Sequence, residues 1–390
     1  MSSEQPVHSP AQEIAGEDLS NMNQNTAQLA NELSHVVDDE SEHDDEVAPT
    51  SFDVTSYGSD PEVEGLVRKI SRGDILIPPF QRDYVWRQAE ASRFIESLLL
   101  GLPVPGVFFA TDPESNKQLV IDGQQRLKSL QFFYNGYFNP KPDEKRQRVF
   151  SLVKVQERFE GKTYKTLDDR DRTRLDNAII HATVVKQTLP AGDDTSMYHI
   201  FERLNSGGRR LSQQEIRVAL YHGPLMDLIV QLNQWDPWRA ILGGASSGLK
   251  DQELILRFFA LLNDKDNYSR PMAEFLSRFA GKYRNAQGAF QDEMPALFKS
   301  TVLQFYNALG RTAFRPGRAV NAAVFDSCMV GLARRLSRGD LPLPSVEKTV
   351  VAYNELLADK EYNEAISRST ADEKFVTRRI EKAVTAFSHV

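Results

Sequence analysis

The chain has 390 residues, 41% of them hydrophobic, which is enough for a core in more than one lobe, and no apolar run approaches the roughly 20 residues that span a bilayer. One cysteine, Cys328, excludes an internal disulfide framework and a multi-cysteine zinc site, and its apolar surroundings from Val324 to Val330 mark it as core. The formal charge of −7 is uneven: residues 1–60 hold 14 acidic groups and no Lys or Arg, while the rest carry 47 basic against 40 acidic groups.

Residues 1–51 are rich in Ser, Gln, Asn, Asp and Glu, a composition that predicts a disordered acidic tail. Such a tail either aids solubility or competes with phosphates for the mildly basic remainder. It contains no basic region followed by an apolar one, so no secretory signal is expected and the expected location is cytoplasmic. Residues 52–195 read as an α+β lobe. Leu66, Val67 and Ile70 share a helical face ending at Gly73, and Ile75 to Ile77 is a strand stopped by Pro78-Pro79. Gln88 to Leu100 is a helix that buries Ala91, Phe94, Ile95, Leu98 and Leu99 and closes at Gly101. Val107 to Ala110 and Gln118 to Ile121 form a hairpin across the turn residues Asp112 to Asn116. A helix follows Gly123, a polar helical stretch spans Leu167 to Ile180, and a strand covers Ala182 to Lys186. From 196 to 390 the pattern is helical, so the predicted class is α+β: a small mixed sheet followed by an all-helical C-terminal lobe.

Three segments carry chemistry. Pro78 to Trp86 places Gln81, Arg82, Asp83, Tyr84 and Trp86 after two prolines that enforce an extended exit. A guanidinium and an amide beside aromatic faces suit a phosphate next to a planar base; equally, the loop joins lobes with Trp86 as a core anchor. In the second, Asp122-Gly123-Gln124-Gln125-Arg126 joins a strand to a helix. Glycine permits the turn, the first helical turn exposes backbone N–H groups to anions, and Arg126 adds a bidentate clamp. Asp122 can hold Mg²⁺ or orient a water, and Gln124 and Gln125 can donate to phosphate or read a base edge. The plainer alternative makes Asp122 a helix N-cap and Arg126 a surface residue. In the third, Phe201 to Glu215, Ser212 and Glu215 form a capping box, and the basic loop before it offers Arg203, Asn205 and Arg209 to a ligand.

On these three segments, in this order, the chain resembles the N-terminal domain of GmrSD-type restriction endonucleases, a family with a ParB/sulfiredoxin-like fold, over roughly residues 60–340. The resemblance implies that Asp122 to Arg126 stands where the fold keeps its nucleotide-phosphate loop. It further implies NTP binding, with hydrolysis as an added expectation, coupled to recognition or restriction of foreign or modified DNA; with Asp122 as metal ligand the expected cofactor is an NTP with Mg²⁺. Many relatives carry a His-Asn-His nuclease domain. Here His8, His35, His43, His181, His199, His222 and His389 are scattered, with His199 and His222 on predicted helices, so cleavage would need a nuclease partner protein.

The leading expectation is therefore a nucleotide-binding, NTP-hydrolysing module of a DNA-defence system. Gly123, Gln124, Gln125 and Arg126 hold phosphates, Asp122 is the metal or water ligand, and Gln81, Arg82, Tyr84 and Trp86 complete the pocket. A non-enzymatic module contacting DNA backbone phosphates is the alternative, and a metal-dependent nuclease the third. Sulfiredoxin-like redox chemistry is disfavoured because no cysteine lies beside Asp122 to Arg126.

Overall fold

The structure, a computed structural model, describes residues 37–38, 53–77, 84–112, 115–141, 144, 146–189, 198, 200, 211–244, 246–338, 342 and 344–390. In chain order the elements begin with β1 (Val37–Asp38), β2 (Asp53–Ser59), α1 (Val63–Arg72), β3 (Ile75–Leu76) and α2 (Gln88–Leu100). Next come β4 (Val107–Thr111), β5 (Gln118–Asp122), α3 (Gln124–Asn135), α4 (Asp169–Asp176) and β6 (Ala182–Leu189). The helical part comprises α5 (Gln213–Leu220), α6 (Pro224–Asn233), α7 (Asp236–Leu242), α8 (Lys250–Asp264), α9 (Met272–Lys282) and α10 (Ala289–Leu309). It closes with β7 (Val320–Asn321), α11 (Ala322–Leu336), α12 (Val346–Ala358), α13 (Lys360–Ser367) and α14 (Glu373–Phe387). Two compact units result, one within residues 45–230 and 263–293, the other within 1–44, 231–262 and 294–390.

The first unit is built on a five-stranded mixed sheet of order β2-β6-β4-β5-β3. The pairs β2/β6 and β4/β5 are antiparallel, and β6/β4 and β5/β3 are parallel. Side chains alternate across it as strand geometry requires. Val107, Phe109, Val120, Ala182 and Val184 join a core with Leu66 of α1, Ile95 of α2 and Leu130 of α3. Phe108, Ala110, Leu119, Ile121 and Val185 enter a separate cluster with Ile216 and Ala219 of α5. Helix α2 has the bounds its sequence predicts, and its Gly101 closes it in the left-handed conformation. Strand β2 was not among the predicted elements. It runs against β6 along its full length, and its residues Thr55 to Ser59 are exposed, so no buried face betrays it in the sequence.

In the second unit, α11 is buried nearly all round, from Ala322 to Ala333. Asp326 on this helix accepts bonds from Arg257 of α8 at 3.0 Å and from Arg379 of α14 at 3.0 and 2.9 Å. Cys328 is fully buried, and burial pushes its thiol up to about 12, which keeps it protonated as the core assignment requires. Val37 and Asp38 pair in parallel with Val320 and Asn321, giving this part of the acidic N-terminal segment a partner strand. Among the described residues no helix is long and apolar enough to cross a membrane.

Candidate functional site

Strand β5 ends at Asp122 and α3 begins at Gln124, which leaves Gly123 as the whole connection. Its φ is 99°, and a Cβ there would lie 2.5 Å from Cγ1 of Val107 and 3.3 Å from the Arg126 guanidinium. Both the backbone and the space therefore demand glycine. Gly123 is itself the N-cap residue, and it has no side chain with which to cap the helix. This corrects the alternative in which Asp122 serves as the cap. Asp122 instead accepts a 2.7 Å bond from Nη2 of Arg126, one turn along the helix. The Arg126 side chain is only 15% exposed against 44% for Asp122, so Arg126 is not a plain surface residue. Its Nε is buried without a hydrogen-bond partner among the described residues.

Gln125 has a different task. Its Oε1 accepts from the backbone N–H of Val85 at 3.0 Å and of Trp86 at 3.2 Å, which ties the end of the first motif to the first turn of α3. Tyr84, 8% exposed, packs edge-on against Phe132 and Phe138. Its hydroxyl lies 2.6 Å from Ser129 Oγ, and Ser129 donates to the carbonyl of Gln125 at 2.7 Å. Burial pushes the Tyr84 phenol up to about 12. Trp86 is half-buried, edge-on to Phe94 at 5.8 Å, as the core-anchor reading requires. The structure thus brings Tyr84, Trp86, Gly123, Gln125 and Arg126 together, but it holds Tyr84 in the core rather than open to a ligand. Gln81 and Arg82, and Arg203, Asn205 and Arg209, lie outside the described residues.

The capping box is present: Glu215 N–H donates to Ser212 Oγ at 3.1 Å, and Ser212 N–H donates to Glu215 Oε2 at 2.7 Å. Sequence reading missed the adjoining Arg217, which is fully buried. It donates to Gln214 Oε1 at 3.1 Å, Ser277 Oγ at 3.3 Å and the carbonyl of Ala273 at 3.2 Å, so it fastens α5 to α9. An arginine on the apolar face of a capped helix is the signal that could have found it. His222 lies just beyond α5 rather than on a helix, and His199 lies outside the described residues. Exposed His181 bonds Asp60 at 2.8 Å. Among the described residues no three His, Cys, Asp or Glu side chains gather as a metal site. A cavity of about 50 Å³ near Asp112, Lys117, His222 and Arg284 is far below the roughly 300 Å³ of a small-molecule site.

A mixed sheet with a single glycine between a strand and a helix, an Asp–Arg pair across that turn and a tethered loop beside it define an α+β domain. Residues 63–222, from the first residue of α1 to just past α5, match the family described as GmrSD restriction endonuclease, N-terminal domain. Over that stretch, somewhat less than half of the chain, the protein is similar to this domain family. The match stops well short of the residue 340 that the resemblance suggested, and β2 lies outside it. No curated protein matches the chain.

Proposed function

We propose that the chain is the nucleotide-binding, NTP-hydrolysing module of a DNA restriction or phage-defence system and acts with a nuclease partner. The family description, which names restriction endonucleases, supports the setting. The observation that carries the site is the Gly123 turn. It presents the first turn of α3 beside Arg126, whose Nε lacks a partner among the described residues. In this proposal the Gly123 backbone, Gln124 and Arg126 hold phosphates, while Gln125 and Tyr84 position the Val85–Trp86 segment. The exposed part of Trp86 meets the base, and Gln81, Arg82, Arg203 and Asn205 complete the pocket. The ParB/sulfiredoxin-like reading of the lobe belongs to the same proposal.

Mg²⁺ fits this donor set in the way it usually meets nucleotides, through one or two carboxylates plus phosphate oxygens. Asp122 is the carboxylate, and its side chain stays 44% exposed although it accepts from Arg126. The ion supplies charge neutralisation on the phosphates. Arg126 is bound to Asp122 through Nη2 alone, so its remaining donors are the groups a phosphate would take.

The test is NTP binding and phosphate release by the purified chain with Mg²⁺, with and without DNA, beside Arg126→Ala. Loss of charge-assisted bonds worth about 1.5–3 kcal/mol predicts binding weaker by roughly ten- to a hundredfold, and no turnover. Equal affinity in the two proteins would remove the assignment.

A second reading, a DNA-binding module without turnover, is favoured by the Asp122–Arg126 bond, which engages the carboxylate that would otherwise hold a metal ion. It predicts no phosphate release and DNA affinity that falls steeply with salt.

A further inference from the structure

Between α3 and α4 the chain folds back on itself in a feature that the site does not use. Phe138 N–H donates to the carbonyl of Arg148 at 2.8 Å, Phe150 N–H donates to that of Gly136 at 2.9 Å, and Tyr137 faces Val149 in an antiparallel bridge. Residues 136–138 and 148–150 thus pair as a short antiparallel ribbon. One of its faces is anchored: Phe150 is fully buried, and Phe138 meets Phe150 at 5.1 Å and Tyr84 at 5.6 Å. The Phe138–Tyr84 contact fixes the ribbon beside the segment that Gln125 tethers. Its other face places Tyr137, 46% exposed, directly across from Val149, 55% exposed.

The end of the ribbon is basic. Residues 139–148 contain Lys141, Lys145, Arg146 and Arg148 against Asp143 and Glu144. Gln147 donates to the carbonyl of Lys141 at 3.0 Å and holds the two arms together. Lys141 reaches Glu144 at 4.0 Å, and both side chains are well exposed. Arg146 and Arg148 are exposed, and neither is paired with a carboxylate among the described residues; Arg148 lies 5.5 Å from the centre of the Phe138 ring. Exposed cations beside an exposed aromatic–aliphatic pair form a surface whose charge complements a polyanion.

We propose that this ribbon is a contact surface for the backbone of duplex DNA. Lys141, Arg146 and Arg148 meet phosphates, and Tyr137 and Val149 lie against sugars and base edges. An antiparallel pair of chain segments has the width that a major groove admits, and the exposed cations Lys141, Arg146 and Arg148 beside it match a phosphate backbone. The proposal rests on the DNA half of the function argued above and is independent of nucleotide binding at Arg126.

The experiment measures binding of the full chain to a labelled duplex of random sequence across a salt series. Three variants are compared: Arg146→Gln with Arg148→Gln, Lys141→Gln with Arg146→Gln, and, as a control for total charge, Arg334→Gln with Arg338→Gln. The second pair leaves the Arg148–Phe138 contact intact and guards against a folding effect. Loss of two phosphate contacts lowers the slope of log affinity against log salt by about 1.8. Each ribbon variant is expected to show that drop and at least a tenfold weaker affinity at low salt, with NTP binding unchanged and the control within twofold of wild type. Ribbon variants that keep the wild-type slope overturn the proposal while leaving the DNA reading intact. A wild-type chain without affinity for any DNA sinks both, and a preference for RNA over duplex DNA overturns the assigned occupant.

Discussion

Two Asp–Arg groupings in this molecule use the same chemistry under opposite conditions. In the helical unit, Asp326 lies fully buried with Arg257 and Arg379, and both of its oxygens are occupied. Arg379 is also spent on the carbonyl of Thr370. In the sheet unit, Asp122 and Arg126 share one bond across a glycine turn, Asp122 is nearly half exposed, and Arg126 Nε has no partner among the described residues. The first arrangement has no exposed oxygen to offer a ligand, and its removal is a question of folding. The second costs less to disturb and retains donors for something else. Burial and saturation, more than residue identity, separate a structural ion cluster from a candidate binding site.

The largest effect should come from breaking the saturated cluster. Asp326→Asn keeps the shape but removes the carboxylate that two buried guanidinium groups share. Breaking a buried pair in this way costs about 3–5 kcal/mol, so the helical unit should unfold at markedly lower urea, as read by far-UV circular dichroism. The Asp122→Asn variant, at the exposed pair, should change the midpoint by no more than a surface ion pair does, about 0–1 kcal/mol. Similar losses in the two variants would erase the contrast.

Gly123→Ala attacks the turn through its backbone. A non-glycine residue held at φ 99° is strained by about 1–3 kcal/mol, and its Cβ would meet Val107 Cγ1 at 2.5 Å. The variant should lose stability by at least that amount, and adding Val107→Ala should return the steric part but not the backbone part. Full rescue by Val107→Ala, seen in paired denaturation curves, would mean that space alone selects glycine here.

How far the sequence disclosed these features follows from the separation of the partners. Helix α2, the Gly123 turn, and the Ser212–Glu215 box are set by residues within a turn or two of each other, and periodicity and cap chemistry report them directly. The Asp122–Arg126 bond is equally local, at four residues' spacing, yet the two residues were expected to meet separate ligands. Gln125 joins Val85 and Trp86 from 40 and 39 positions away, and Asp326 joins Arg257 and Arg379 across 69 and 53. No periodicity encodes such pairings. Strand β2 was hidden for a related reason: its residues earn their conformation from hydrogen bonds to β6, with no apolar alternation of their own.

The smallest effect tests whether the turn is held by neutral hydrogen bonds where the helical unit relies on charge. Tyr84→Phe removes the hydroxyl that meets Ser129 at 2.6 Å, while Ser129 keeps the Gln125 carbonyl as its acceptor. Stability near neutral pH should therefore fall by only about 0.5–1.5 kcal/mol. The alkaline limb is more telling. Burial raises the Tyr84 phenol from 10.0 to about 12, so between those values the folded chain holds a proton that the unfolded chain has released. Stability must then decline as pH rises from about 10 to about 12, because the unfolded state binds fewer protons there. Tyr164, also raised to about 12, contributes a similar slope. Tyr84→Phe should flatten the urea midpoint against pH in that window while leaving the Tyr164 share. An unchanged slope would mean that Tyr84 titrates freely in the folded chain, and that the aromatic support beneath Gln125 is looser than its packing against Phe132 and Phe138 implies.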